Sequence, residues 1–135
     1  MTRNTTGLLF GQFMPRREEI EHWANQNVYD LREYPPDYFE SFDPSRTFTK
    51  WAAMQVIEVE SIPEGMEVYR LPGGTYAVFQ YKGPMGDPAI FEYIFTKWLP
   101  YSGYALDNRP HFEILGPNSN LNDPSSEEEI WIPIR

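Results

Sequence analysis

The sequence predicts a single α+β domain, residues 1–135, built from two similar half-repeats at about 1–60 and 61–135. Three observations lead to this prediction. The chain has 135 residues, of which 41% are hydrophobic, which is enough for one domain with a core but not for two ordinary ones. The second half carries signals for a strand, a helix and two further strands, in that order. Two separated blocks of the first half match blocks of the second half in order and in local role.

Two pairs of matching segments define the repeat: LFGQFMP at 9–15 with IFTKWLP at 94–100, and Asp43-Pro44-Ser45 plus Trp51 with Asp123-Pro124-Ser125 plus Trp131. The alignment places the partner of the strand at 75–81 before the first residue. We therefore expect the first half-repeat to lack its opening strand, which leaves one edge of the sheet unpaired. A second copy of the chain, in a homodimer, or a separate regulatory partner would cover such an edge.

Each element of the first half follows from this alignment. A helix is expected at about Thr5–Met14, a strand at Val28–Tyr34 and, after a long loop, a strand at Trp51–Val59. The first half therefore reads helix, strand, loop, strand.

The second half opens with Gly73-Gly74, which predicts a hairpin turn, followed by a strand at Thr75–Tyr81 that is rich in aromatic and β-branched residues.

The best-marked helix is predicted at Pro88–Leu99. Asp87 can cap it, a proline suits its first turn, Pro100 is expected to end it, and its apolar residues recur at helical spacing. A short strand at His111–Leu115, a polar loop and a final strand at Glu129–Ile134 follow. The second half thus forms a complete strand-helix-strand-strand unit.

Composition excludes several classes of function. The net charge of −9, without a local Lys/Arg cluster, argues against direct contact with nucleic acid. The absence of cysteine excludes disulfides and thiol catalysis. No apolar run reaches the roughly 20 residues of a membrane span, and the start lacks a signal-peptide pattern. A soluble, cytoplasmic protein is expected.

No pattern of catalytic or metal-binding residues stands out. The two histidines, His22 and His111, lie far apart in the sequence, and no Gly-x-Ser-x-Gly elbow is present. No pair of histidine and carboxylate has the helix-face spacing of a metal site. We expect neither a cofactor nor a bound metal, and catalysis is left open without being favoured.

Glu113 is the carboxylate of interest. Strand alternation puts Phe112 and Ile114 on one face of their strand and Glu113 on the other. Pattern alone favours a solvated Glu113, and the alternative is a carboxylate at the floor of an aromatic pocket that pairs with a cation. Trp131 and Trp51 occupy matching strand positions, where they either flank a cleft between the halves or fill an ordinary core.

Several segments together resemble the GyrI-like domain, the effector-binding domain of certain AraC- and MerR-type transcription regulators. They are IPEGM at 62–66, LPGGTYAVF at 71–79, KWLPYSGY at 97–104, RPHFE at 109–113 and EEEIWIPI at 127–134. The resemblance covers the chain from about Ile62 onward. It implies a GyrI-like/SOUL-like fold, with two strand-helix-strand-strand units around a pseudo-twofold axis and a ligand in the groove between them.

The resemblance also implies a function and a site. Family members bind amphipathic, often cationic aromatic compounds, and the family's cation partner matches Glu113. Trp131, Tyr93, Tyr104 and Trp51 are the expected pocket aromatics. The chain has no helix-turn-helix, so a stand-alone binding domain is expected. Two alternatives remain: a hydrolase of cyclopropane-containing compounds, with Glu113 as general base, and a protein-interaction module such as a gyrase inhibitor.

Overall fold

The computed structural model describes residues 5–35, 38, 47–83, 88–116 and 126–135. Within these ranges the chain forms a five-stranded antiparallel sheet with short helices, so the predicted α+β class is confirmed. The strands are β1 (Val28–Glu33), β2 (Thr49–Ala53), β3 (Tyr76–Lys82), β4 (His111–Leu115) and β5 (Glu127–Pro133). The helices are α1 (Thr5–Phe13), a 3₁₀ helix (Met14–Glu19), α2 (Pro88–Tyr93), a π-helical segment (Ile94–Trp98) and α3 (Leu99–Tyr101). None of these helices has the length and apolarity needed to cross a membrane.

The strand order is β2-β1-β4-β5-β3, which places β1 and β4 side by side at the centre. Asp30 of β1 lies opposite Glu113 of β4, and Leu31 lies opposite Phe112. Strands β2 and β3 lie at opposite edges. The hairpin turn predicted at Gly73-Gly74 is therefore wrong, because β3 pairs with β5 rather than with a strand just before it.

Alternation along the strands gives the sheet two different faces. The helix face carries Asp30, Arg32, Glu113, Glu128, Ile130 and Ile132, and the open face carries Tyr29, Leu31, Trp51, Phe112 and Trp131. The hydrophobic core lies on the helix face, where Ile94 packs against Ile130 and Ile132, with α2 residues Ile90 and Phe91 beside them. Burial of these aliphatic side chains is the main force that fixes the helix on the sheet.

The predicted helix at Pro88–Leu99 is present but irregular. After α2 the hydrogen bonds shift to the π pattern, so that the Leu99 N–H donates to the Ile94 carbonyl. Pro100 does not end the helix, because the chain continues through α3 to Tyr101. A proline is tolerated there since it lies in the first turn of α3, where its missing N–H is not needed. The predicted cap, Asp87, lies outside the described residues.

The strand predicted at Trp51–Val59 is shorter and begins earlier, at Thr49–Ala53. Beyond Ala53 the chain leaves the sheet, and Val56 forms an isolated bridge with Trp23. The other strands agree with their predicted bounds to within two residues. The repeated Asp-Pro-Ser blocks at 43–45 and 123–125 lie outside the described residues, so the two-repeat arrangement stays a prediction. Among the described strands, β2 pairs only with β1.

Candidate functional site

A cavity of about 690 Å³ lies over the open face of the sheet. Its floor is formed by β1, β2, β4 and β5, and its walls by α1 and by the irregular segment at 54–71. Drug-sized ligands occupy pockets of about 300–1,000 Å³, so the cavity has room for one. Its aromatic lining comprises Phe13, Tyr29, Trp51, Tyr69, Phe112 and Trp131.

The two tryptophans lie on one row that crosses the sheet. Trp51 is opposite Leu31, Leu31 is opposite Phe112, and Phe112 is opposite Trp131. Three strand spacings of about 4.8 Å separate the tryptophan backbones by about 14 Å. The Trp131 ring stacks on Phe112 at 5.1 Å between centroids, and Trp51 packs at 5.3 Å against Tyr69. The row therefore offers an aromatic surface at each end and apolar side chains between.

The polar edge of each indole is bonded to a glutamate. Trp51 Nε1 donates to Glu33 Oε1 at 2.8 Å, and Trp131 Nε1 donates to Glu129 Oε1 at 3.0 Å. These bonds hold both rings in place and satisfy their N–H groups. Both tryptophans also line the cavity, and the face of an indole carries the negative side of the aromatic quadrupole.

Acidic side chains predominate among the charged residues that line the cavity. They are Glu21, Glu58, Glu60 and Glu67, against Arg16 and Lys50. Both cations already have partners, since Arg16 Nε is 2.7 Å from Glu19 Oε2 and Lys50 Nζ is 3.4 Å from Asp30 Oδ2. The mouth of the cavity therefore carries a net negative charge.

A histidine lies among these glutamates. His22 Nε2 is 3.3 Å from Glu60 Oε2, and Nδ1 is 3.4 Å from Glu58 Oε1. The hydrogen bond to Glu60 and the charges of the nearby glutamates raise the pKa of His22. Within the described ranges, Glu21, His22 and Glu60 have ligand atoms within 4.8 Å of one another. The glutamates of this group are exposed, and such groups are common on surfaces that bind no metal.

A buried charge cluster lies on the opposite, helix face. Arg32 Nη2 donates to Glu113 Oε1 at 3.0 Å and to Asp30 Oδ2 at 3.4 Å. Lys50 completes the group through Asp30, and the Glu128 carboxyl shares a hydrogen bond with Glu113. The adjoining cavity is only about 20 Å³, enough for about one water molecule.

Burial sets the protonation states around this cluster. Burial and the hydrogen bond with the Glu113 carboxylate raise the pKa of Glu128 to about 8. Burial also raises the pKa of Glu113, although the Arg32 charge opposes this. Burial, assisted by the charge of Arg32, lowers the pKa of His111 to about 4. At neutral pH Glu128 therefore favours its protonated form, and His111 is neutral.

Comparison with known proteins identifies the domain. Residues 7–134 match the family model described as integron-associated effector binding protein, Cass2. The chain belongs to this family of effector-binding proteins. It is also 30% identical, over 97% of its length, to the transcriptional regulator BrlR of Pseudomonas aeruginosa. The chain spans 47% of the length of that regulator. The resemblance to GyrI-like effector-binding domains predicted from the sequence is confirmed.

The structure of this effector-binding domain separates the five predicted site residues. Trp51 and Trp131 both line the open-face cavity. Glu113 lies on the helix face and lines the small cavity, which Trp131 also borders. Tyr93 and Tyr104 are 47% and 52% exposed and line neither cavity. The roles of all five in ligand binding stay predictions.

Sequence reasoning missed the partners of these residues. Val28, Asp30 and Arg32 occupy alternate positions of β1 and so lie on one face of the strand. Val28 is buried, so two charged residues on the same face were a detectable signal of a buried charge cluster. Their pairing with Glu113 needs the β1–β4 register, which no local pattern indicates. Tyr69 belongs to an irregular segment and carries no periodic signal.

Proposed function

We propose that this domain binds an amphipathic small molecule, preferably one with a positive charge, in the open-face cavity. The observation that carries the proposal is the row from Trp51 to Trp131, with an aromatic surface at each end of an apolar floor. An effector-binding family requires such a pocket, and a ligand with flat apolar groups would fill it by stacking and by burial of apolar surface.

The preference for a cation rests on charge. Glu58, Glu60 and Glu67 line the cavity, whereas its two cations are held by other carboxylates. A cation over an indole face gains about 0.5–2 kcal/mol, depending on desolvation. The net charge of −9 adds a long-range attraction for cations and disfavours nucleic acid.

Glu113 remains the alternative anchor for a ligand cation. In this structure its carboxylate is bonded to Arg32, and the adjoining space holds about one water molecule. A ligand cation at Glu113 would therefore have to displace the Arg32 guanidinium. The open-face cavity requires no such displacement, and for this reason we assign the ligand to it.

Isothermal titration with a cationic dye, rhodamine 6G, and a neutral dye, Nile red, tests the proposal. We expect Trp51→Ala and Trp131→Ala each to weaken rhodamine binding about tenfold, equivalent to about 1.4 kcal/mol. Trp98→Phe is the matched control, because Trp98 packs on Phe79 away from the cavity. The triple variant E58Q/E60Q/E67Q should weaken the cationic dye more than the neutral one.

Two results would contradict this assignment. Unchanged dye affinity in both tryptophan variants, together with a tenfold loss in Glu113→Gln, would place the ligand on the helix face. Absence of binding for amphipathic compounds of either charge would remove the binding function itself.

We also infer that the two-repeat architecture underlies the cavity. The row Trp51, Leu31, Phe112, Trp131 reads the same from either end: a tryptophan on β2 or β5, followed by an apolar residue on β1 or β4. A pseudo-twofold axis between β1 and β4 would exchange its two halves. This pattern supports the predicted repeat, in which Trp51 corresponds to Trp131.

A further inference from the structure

Arg32 is held on the helix face as a bound cation would be. Its guanidinium lies 3.0 Å from Glu113 Oε1 and 3.4 Å from both carboxylate oxygens of Asp30. Its Cζ atom lies 5.4 Å from the centroid of the Phe91 ring. Two carboxylates and an aromatic face are the elements with which proteins recognise a planar cation.

We propose that Arg32 is a tethered cation that fills the pocket at Glu113 and thereby determines which ligands this pocket accepts. With Arg32 in place, cations are excluded from Glu113. Without its side chain, the pocket binds a small planar cation of the guanidinium or amidinium class. This inference concerns the helix face and does not depend on the ligand proposed for the open face.

The charge balance of the cluster supports this role. Arg32 contacts the carboxyl groups of both Asp30 and Glu113, and Lys50 contacts Asp30. Glu128 retains its proton at neutral pH and adds no charge. Loss of the Arg32 side chain leaves the buried Glu113 carboxyl without its salt-bridge partner, and such a group attracts a replacement cation.

The surroundings of the guanidinium favour a flat cation over a spherical one. Phe91, Phe95, Tyr34 and His111 line the adjoining cavity together with Arg32. His111 is uncharged at neutral pH and therefore does not repel the cation. The helical segments at 88–101 cover this cavity. Their charged residues, Glu92 and Lys97, are exposed to solvent.

Chemical rescue of Arg32→Ala tests the proposal. The probe is methylguanidinium, which reproduces the lost head group, and its neutral isostere methylurea is the matched ligand control. Binding is measured at pH 7 by thermal shift and by titration calorimetry in wild type, Arg32→Ala and R32A/E113Q. Arg70→Ala is the protein control, because Arg70 is exposed and lines neither cavity.

We expect Arg32→Ala to bind methylguanidinium saturably and at least tenfold more tightly than wild type, with no response to methylurea. R32A/E113Q should lose this gain, and Arg70→Ala should behave as wild type. Equal binding by wild type and Arg32→Ala, or a gain that persists in R32A/E113Q, would overturn the proposal.

Unfolding of Arg32→Ala would also be informative. A pocket that recognises the cation couples binding to folding, so methylguanidinium should restore the far-ultraviolet circular dichroism of the variant and methylurea should not. Failure of methylguanidinium to restore the fold would count against the proposal. The dye experiment on wild type and its tryptophan variants is separate, so either proposal can fail alone.

Discussion

Replacement of Glu128 with glutamine should change how the stability of the domain depends on pH. The side chain is 5% exposed, and its Oε2 atom has no hydrogen-bond partner among the described residues. Burial and the neighbouring Glu113 carboxylate raise its pKa to about 8, whereas an unfolded glutamate titrates near its ordinary value of 4.5. Between these values the folded state holds a proton that the unfolded state releases. Stability therefore falls as pH rises from about 4.5 to 8.

The magnitude follows from linkage. One proton of difference changes the free energy of unfolding by about 1.4 kcal/mol per pH unit. His111 acts in the opposite direction, because burial lowers its pKa to about 4. Its contribution to the free energy of unfolding is lost as the pH falls below its ordinary pKa of 6.5. Above pH 6.5 that contribution is complete, so Glu128 loses at most about 2 kcal/mol between pH 6.5 and 8. Because half of the folded molecules have released this proton by pH 8, the expected loss is about 1.6 kcal/mol.

Urea unfolding, followed by tryptophan fluorescence at pH 6.5, 7.2 and 8, measures this loss. Wild type should lose about 1.6 kcal/mol over the range, and Glu128→Gln should lose distinctly less. Glu127→Gln is the matched control, since Glu127 is the exposed neighbour on the same strand. His22→Gln tests a second contribution, because the raised pKa of His22 also makes stability fall with pH. A Glu128→Gln variant with the pH slope of wild type would refute the reasoning.

Two further predictions concern stability alone. Gly74→Ala should lower the free energy of unfolding by about 1–3 kcal/mol, because Gly74 has φ of 153° and an added Cβ would meet the Arg109 guanidinium. Thermal unfolding measures this loss. The control is Gly73→Ala, which should not show the loss because a Cβ at Gly73 meets nothing within 4 Å. Ile94→Ala should cost about 2–5 kcal/mol, since this side chain is fully buried in the core. The control in the same urea assay is Ile57→Ala, at a residue that is 75% exposed, and it should change the free energy of unfolding by no more than about 0.5 kcal/mol. Comparable losses in both variants would contradict the packing argument.

Much of the fold was predictable because local signals agree with tertiary context. Strand β4 has its predicted bounds, His111–Leu115, since a proline before it and a glycine after it mark both ends. Strand β5 begins earlier than predicted, at Glu127, because pairing with Lys82 and Tyr81 of β3 overrides the low strand propensity of glutamate. The segment after Ala53 has a strand-like composition, yet its backbone bonds go to residues 22–24 instead: Ala24 N–H to the Gln55 carbonyl, and Ile57 N–H to that of His22.

The site was less predictable because it depends on register. Alternation alone correctly placed Glu113 and Phe112 on opposite faces of β4. That Glu113 would pair with a cation was also expected, but the partner within this chain is Arg32, 81 positions away. No spacing rule connects two strands that far apart. Likewise the charge on Glu128 depends on its neighbour across the sheet, and the sequence alone shows only three adjacent glutamates.

Phe112 and Trp131 border both cavities, one on each face of the sheet. The strands β4 and β5 that carry them thus separate the aromatic row from the buried charge cluster. Any change that a ligand on the open face makes in the proton affinity of Glu128 is a coupling free energy between the two sites. Linkage makes the reverse equally true, so protonation would alter ligand affinity by that amount. Two titrations on opposite faces of one sheet therefore report a single coupling constant.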